Sequence, residues 1–219
     1  MTFSHMHWNS QQLELMEKRF RATLINSLAG IKQVALLGTK STGGSTNLAI
    51  FNSLIHIGAH PPLYGLLFRP DTVQRDSLKN ILETKSYTIN FVREEQWLQA
   101  HQTSAKYPTG VSEFQAIDFK EAYLFDHFAP FIDGASVQIG LELQERININ
   151  SNGTILIIGR IQHISCASNL LSDDGFVHLE KANTLACAGL DGYYSTVFKG
   201  RLSYAKTDQL PMIIESHKK

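Results

Sequence analysis

The chain has 219 residues, 43% hydrophobic and 18% charged, with 20 basic and 20 acidic side chains and a formal net charge of zero. A chain of this length can bury one sizeable core, and no Pro/Gly/Ser-rich linker or charge run divides it, so a single domain over 1–219 is expected. The balanced charge lacks the Lys/Arg excess of a nucleic-acid binder, and no apolar run approaches the roughly 18 residues of a membrane span.

In chain order, the N-terminal Met-Thr-Phe-Ser-His-Met-His-Trp lacks the basic start and apolar run of a secretory signal, so a cytoplasmic protein is expected. Leu13, Leu15, Met16, Phe20, Leu24 and Leu28 recur at helical spacing and predict a helix over about 9–28, capped by Ser10 and stopped at Gly30. Val34 to Thr39 reads as a strand, with Gly43-Gly44 as the turn after it. Leu48 to Ile57 fits a strand or a buried helix by period, and the Gly and Pro residues at its far end favour strand. Leu63 to Phe68 is a strand closed by Pro70, which has no N–H for a ladder. Asp76 is expected to cap a short helix whose Leu78, Ile81 and Leu82 share a face.

Tyr87 to Val92 is a further strand, and Glu94 to His101 a helix. The clearest signal lies in Ala135, Val137, Ile139, Leu141 and Leu143, which alternate with polar or small residues as in a strand with one wet face. Asn150-Ser151-Asn152-Gly153 then turns into the Ile-rich segment 154–164, which predicts a long antiparallel hairpin. Strands and short helices without a βαβ rhythm give a mainly β fold, an antiparallel barrel with peripheral helices.

Several chemistries are disfavoured. Gly38 to Ser45 nearly fits a P-loop, but Gly44 stands where its lysine belongs, and no G-x-G-x-x-G fingerprint is present. Cys166 and Cys187 show no metal spacing and read as reduced thiols. Among nine histidines, His56 and His60 are four apart but have no third ligand beside them, so no metal site is expected. No nucleophile motif stands out, and no residue is assigned a catalytic role.

What remains is a set of anion-binding parts between Gly43 and Ser77. Ser45, Thr46 and Asn47 follow the Gly-Gly turn, whose backbone N–H groups are expected to stand open to an anion. Arg69 and Arg75 supply charge, and Asp76 and Ser77 mark a helix start. The plain alternative is a polar hairpin turn with two surface arginines paired to Asp71 and Asp76. His101 and Tyr107 flank Thr103 and Ser104, and either line a substrate pocket or pack that loop; His178 is a further pocket candidate.

The order of these pieces resembles the flavin reductase-like family of FMN-binding split-barrel proteins. The likeness runs from about Arg19 to Tyr194 and includes Leu-Ala-Gly-Ile-Lys, Tyr-Thr-Ile-Asn-Phe at 87–91, Thr-Ser-Ala-Lys-Tyr-Pro-Thr-Gly-Val-Ser-Glu-Phe at 103–114, and Ile-Gly-Arg-Ile. It implies an antiparallel split β-barrel in which Thr46, Asn47, Leu48 and Ala49 lie along the isoalloxazine. Asn52 and Ser53 would face the flavin, Arg75, Asp76 and Ser77 would bind near the phosphate, and Thr103 and Ser104 would complete the FMN-binding positions. It further implies an NAD(P)H-dependent flavin reductase, a homodimer with flavin near its interface, and a possible partner monooxygenase; the other reading is a non-enzymatic FMN protein for storage, sensing or electron transfer. Hydride transfer is performed by the cofactor itself, in keeping with the missing nucleophile.

Overall fold

The structure is a computed structural model that describes residues 4–72, 75–108 and 110–216. Its centre is a seven-stranded sheet in the order β3-β2-β6-β9-β10-β5-β4. The strands are β2 (Ala35–Lys40), β3 (Thr46–Phe51), β4 (Leu54–Ala59), β5 (Pro62–Phe68), β6 (Ser86–Phe91), β9 (Val137–Ile149) and β10 (Thr154–Cys166). Every neighbouring pair in this sheet is antiparallel.

Covalent connectivity forces the sheet to curl. β3 and β4 lie at opposite edges, yet only Asn52 and Ser53 separate them in the chain. Three Cα steps span at most about 11 Å, so the two edges must approach each other at that point. Across the seam, Ser53 Oγ donates to Leu67 O at 2.8 Å, and the Phe51 and Phe68 rings meet edge to face at 4.8 Å. The ambiguous segment 48–57 is thus neither one strand nor a helix, but two strands on either side of a corner.

Leu37, Phe68, Tyr87, Ile89, Ile139, Leu141 and Ile157 fill the interior of the curled sheet. A second core, with Leu36, Leu48, Phe114 and Ile132, lies on its other face. β2 contributes to both, since Ala35 and Leu37 point one way and Leu36 the other. Burial on two faces explains why its apolar run is continuous rather than alternating.

Shorter elements surround the sheet. Helices α1 (Ser10–Leu15) and α2 (Lys18–Leu28) precede β1 (Lys32–Gln33), α3 (Asp76–Thr84) links β5 to β6, and α4 (Trp97–Gln102) and α5 (Glu113–Ala116) follow β6. Strands β7 (Glu121–Ala122) and β8 (Phe131–Ile132) pair with each other, while β1, β11 (Ala186–Ala188) and β12 (Gly192–Tyr194) form a small sheet. A hairpin of β13 (Gly200–Leu202) and β14 (Ile213–Ser216) ends the described chain.

The N-terminal helix departs from its sequence reading. Asn9, not Ser10, caps α1, through a reciprocal pair with Gln12 at 2.9 Å each way. The helix breaks after Leu15, and the Glu17 carboxylate caps α2 by accepting from Arg19 N at 2.8 Å and Phe20 N at 2.7 Å. Two local caps override one continuous period. The apolar face of this region, including Leu15, Phe20, Ile25 and Leu28, stays exposed rather than meeting the core. Similarly, 94–101 begins as a 3-10 turn over Glu94–Gln96 before α4 starts.

One close approach fixes the barrel interior. β10 shifts register between Ile158 and Gly159, and a Cβ at Gly159 would lie 1.9 Å from Tyr87 Oη and 2.7 Å from Cζ. The Tyr87 hydroxyl is buried with no hydrogen-bond partner among the described residues, and burial pushes its pKa up. Gly159→Ala should therefore destabilise the fold by about 1–3 kcal/mol through overpacking. Tyr87→Phe, which removes an unpaired buried hydroxyl, should leave stability unchanged or higher. Thermal denaturation of both variants checks the pair, and a lower Tm for Tyr87→Phe would mean the hydroxyl has a partner.

Candidate functional site

The candidate site is built on β3, the strand at the seam. The turn that leads into it is tighter than its sequence suggests. Gly44 has φ +93°, and Ser41 takes up the neighbouring N–H groups: Gly44 N donates to Ser41 O at 3.0 Å, and Ser45 N to Ser41 Oγ at 3.0 Å. The expectation of open amides at this turn is corrected at Gly44 and Ser45, because the Ser41 carbonyl takes the first and its hydroxyl the second. Ser45 itself is exposed.

The start of α3 has open donors instead. Its cap residue is Arg75, in extended backbone and without a side-chain cap, while Asp76 is the first helical residue rather than the cap. A helix start with no side-chain cap keeps its N–H groups available to a ligand, and its partial positive charge favours an anion. Asn47 of β3 donates from Nδ2 to Ser77 Oγ at 2.8 Å, tying the strand to this helix start. One turn along, Asn80 donates to Thr39 Oγ1 at 3.1 Å. Arg75 Nε is buried with no partner among the described residues.

Arg69 does not join this pair by any recorded contact. It follows β5, is exposed, and makes no hydrogen bond or ion pair among the described residues. No carboxylate among those residues lies within 4.0 Å of Arg69 or Arg75 either, so the reading of both arginines as ion-paired surface residues is not met.

The other face of β3 meets residues that the sequence did not single out. Thr46 Oγ1 donates to Glu121 Oε1 at 2.6 Å and lies 2.8 Å from Ser112 Oγ. Leu48 N donates to Glu113 Oε2 at 3.0 Å. Burial pushes the Glu113 carboxyl up and nearby Asp76 adds to this, against the lowering from the Leu48 N–H. Glu113 lies inside the Ser-Glu-Phe stretch noted above, which was its only signal. At the far end of β3, Asn52 Nδ2 donates to Gly189 O at 2.7 Å. Ala49 is half-buried opposite Leu37.

Of the remaining candidates, Thr103 is buried and its hydroxyl donates to Ala100 O at 2.8 Å, closing its own helix end, whereas Ser104 is exposed. His101 Nδ1 lies 2.8 Å from the Tyr193 hydroxyl, and Trp97 packs edge-on against the same ring at 5.8 Å. Burial, with Cys187 and Asp191 adding to it, pushes the Tyr193 hydroxyl up to about 12. Tyr107 packs against the second core, as its loop-packing alternative expects. His178 is corrected: its ring is 1% exposed, with Glu180 and Glu215 on its two nitrogens, so it lines no open pocket.

A cleft of about 470 Å³ lies along α3, lined by Asp71, Arg75, Leu78, Lys79, Leu82 and Glu83. A second, of about 250 Å³, lies at the opposite end of that helix beside His127 and His163. Among the described residues no group of three His, Cys, Asp or Glu side chains is placed to hold a metal ion, and no helix is long and apolar enough to cross a membrane.

The fold and the sequence match known proteins. A crystal structure from Shewanella frigidimarina NCIMB 400, assigned as a flavin reductase with split barrel domain, is 41% identical, has a TM-score of 0.88, and covers 92% of this chain and 100% of that one. Nitrilotriacetate monooxygenase component B from Bacillus cereus shares the fold, with a TM-score of 0.79 over 92% of this chain and 100% of its own, at 18% identity. An uncharacterized protein of Aquifex aeolicus (strain VF5) is 25% identical over 177 residues, 80% of this chain and 89% of its own. Residues 31–182 match the flavin reductase like domain. The mainly β, antiparallel architecture is thus a flavin-reductase split barrel, and the chain belongs to the flavin reductase-like family.

Proposed function

We propose that this chain is a single-domain FMN-binding oxidoreductase that reduces flavin with NAD(P)H. One observation carries the reading: a buried guanidinium nitrogen, Arg75 Nε, has no partner among the described residues and lies beside a helix start that none of their side chains caps. A phosphate monoester supplies the missing acceptor for both groups at once. In this reading Arg75 and the first turn of α3 bind the phosphate, and the Asn47–Ser77 hydrogen bond holds the strand and helix at a fixed separation.

The remaining residues position and shield. β3 together with Asn52 just after it spans about 20 Å at 3.3 Å per residue, long enough to flank a flavin mononucleotide from phosphate to ring. Asn52 fixes the turn around Gly189 at the far end, bringing Tyr193 and His101 toward the same corner. Leu48 and Ala49 border the ring and Ser53 closes the seam beside it. Bound flavin supplies the hydride-accepting chemistry, so no residue of this chain is assigned a covalent step.

The exposed apolar side chains of α1 and α2 support a homodimer, with flavin near its interface. Reduced flavin passed to a partner monooxygenase is consistent with the name of the Bacillus cereus relative. A cytoplasmic location belongs to the same reading.

Two measurements test this reading. The purified protein is expected to take up FMN and to show a flavin absorbance that bleaches on anaerobic addition of NADH or NADPH. Uptake without bleaching would favour storage, sensing or electron transfer, and no uptake would end the flavin reading. Arg75→Ala is expected to weaken FMN at least about tenfold, or ~1.4 kcal/mol, while leaving riboflavin nearly unchanged. Equal losses for the two flavins would show that this guanidinium does not meet the phosphate.

A further inference from the structure

The C-terminal hairpin is rooted on its own chain and apolar beyond the root. At the root, Arg201 donates from Nη1 to Asp174 Oδ1 at 3.2 Å and lies 4.3 Å over the Phe176 ring, while Glu215 Oε1 lies 3.2 Å from His178 Nε2. Past that point the two strands hold only each other. Leu202 pairs with Ile213, Ser203 N donates to Met212 O at 2.9 Å, Met212 N donates to Ser203 Oγ at 2.9 Å, and Lys206 bridges to Gln209. Among the described residues, no hydrogen bond or ion pair ties 202–214 to the rest of the chain.

Leu202, Tyr204, Leu210, Met212, Ile213 and Ile214 are between 57% and 91% exposed. Together they leave on the order of 800 Å² open, about what each partner gives up in a stable protein pair. A typical monomer shows an apolar patch of only about 300–600 Å². An isolated two-stranded hairpin is marginal in water, so this one needs a covering surface to stay formed. From Leu202 to Ile214 the only charged side chains are Lys206 and Asp208. A surface poor in charge and carrying Tyr and Met has the composition of an interface core, and it offers nothing to select a strongly charged partner.

The same chain carries a second uncovered apolar face. Leu15, Phe20, Ile25 and Leu28 of α1 and α2 are between 51% and 80% exposed, and neither helix buries a residue. A two-fold pair covers two unlike patches at once, because whatever one copy lends it also receives. An apolar surface that is always exposed needs a partner that is always present in equal amount. A second copy of the chain meets that condition.

We propose that the hairpin is a dimerisation arm, with 202–214 lying on the α1–α2 face of a second copy and the exchange reciprocated. The proposal rests on the homodimer given under Proposed function and assigns its contact. It does not depend on flavin.

Sedimentation equilibrium of the full chain tests the arm. The wild-type chain is expected to be a dimer. Tyr204→Asp combined with Leu210→Asp charges two side chains that are 91% and 87% exposed, so the lone chain loses little of its own packing. This variant should weaken the dimer at least about 100-fold. Leu28→Asp on α2 should give a loss of the same kind from the other side of the contact. A benzophenone-bearing phenylalanine in place of Tyr204 locates the landing site: irradiation should yield a dimer-sized band whose linked peptide falls within 10–28 of the other copy. A monomeric wild-type chain overturns the arm and the homodimer together. A dimer that keeps its affinity with the arm variant, or a linked peptide outside 10–28, overturns the arm alone.

Discussion

The rest of the structure depends on a two-residue connection. Asn52 and Ser53 join strands at opposite edges of a seven-stranded antiparallel sheet, and so short a link exists only if the sheet closes on itself. The natural twist of antiparallel strands makes that closure accessible, and Tyr87, Phe68 and Leu37 fill the enclosed space. The seam is joined by Ser53 and by a pair of phenylalanine rings rather than by a full ladder. An incompletely paired strand therefore stands at a corner of the molecule.

Such an edge is a hazard in a soluble protein unless it is covered or used. Here it is partly covered from within. Glu113 accepts the Leu48 N–H, Glu121 and Ser112 engage Thr46, and Asn52 engages the turn at Gly189. Among the described residues, the donors left unsatisfied there are the Arg75 Nε and those of a helix start without a side-chain cap. Carboxylates lie close by as well, with Asp76 of the helix start itself near enough to Glu113 to push that carboxyl up. Acidic groups beside unpaired donors favour a ligand with one anionic end over one that is anionic throughout.

The two ends of the chain follow different physics from the barrel. Both α2 and the C-terminal hairpin expose apolar side chains in this chain, so their positions rest on local polar devices. For α2 the device is a carboxylate cap; for the hairpin it is a buried imidazole between two carboxylates and an arginine set over an aromatic ring. The barrel interior, in contrast, is held by apolar burial.

The sequence by itself determined the elements whose signal is local. Alternation in 135–143 and the Asn/Gly turn at 150–153 gave the long hairpin, and the ordered pieces from Gly43 to Ser77 led to the family and to the Asn47–Ser77 neighbourhood. Tertiary structure alone decided what depends on distant partners. It split 48–57 into two strands because closure demands a corner, and it buried His178 against Glu215, brought in from β14. It used up the turn amides through Ser41 and placed Glu113 on β3 from 65 residues away. Periodicity reports which face of an element is apolar, but not which remote side chain will meet its polar groups. Hydrogen bonds between distant residues are chosen by the closed chain, and no local pattern encodes them.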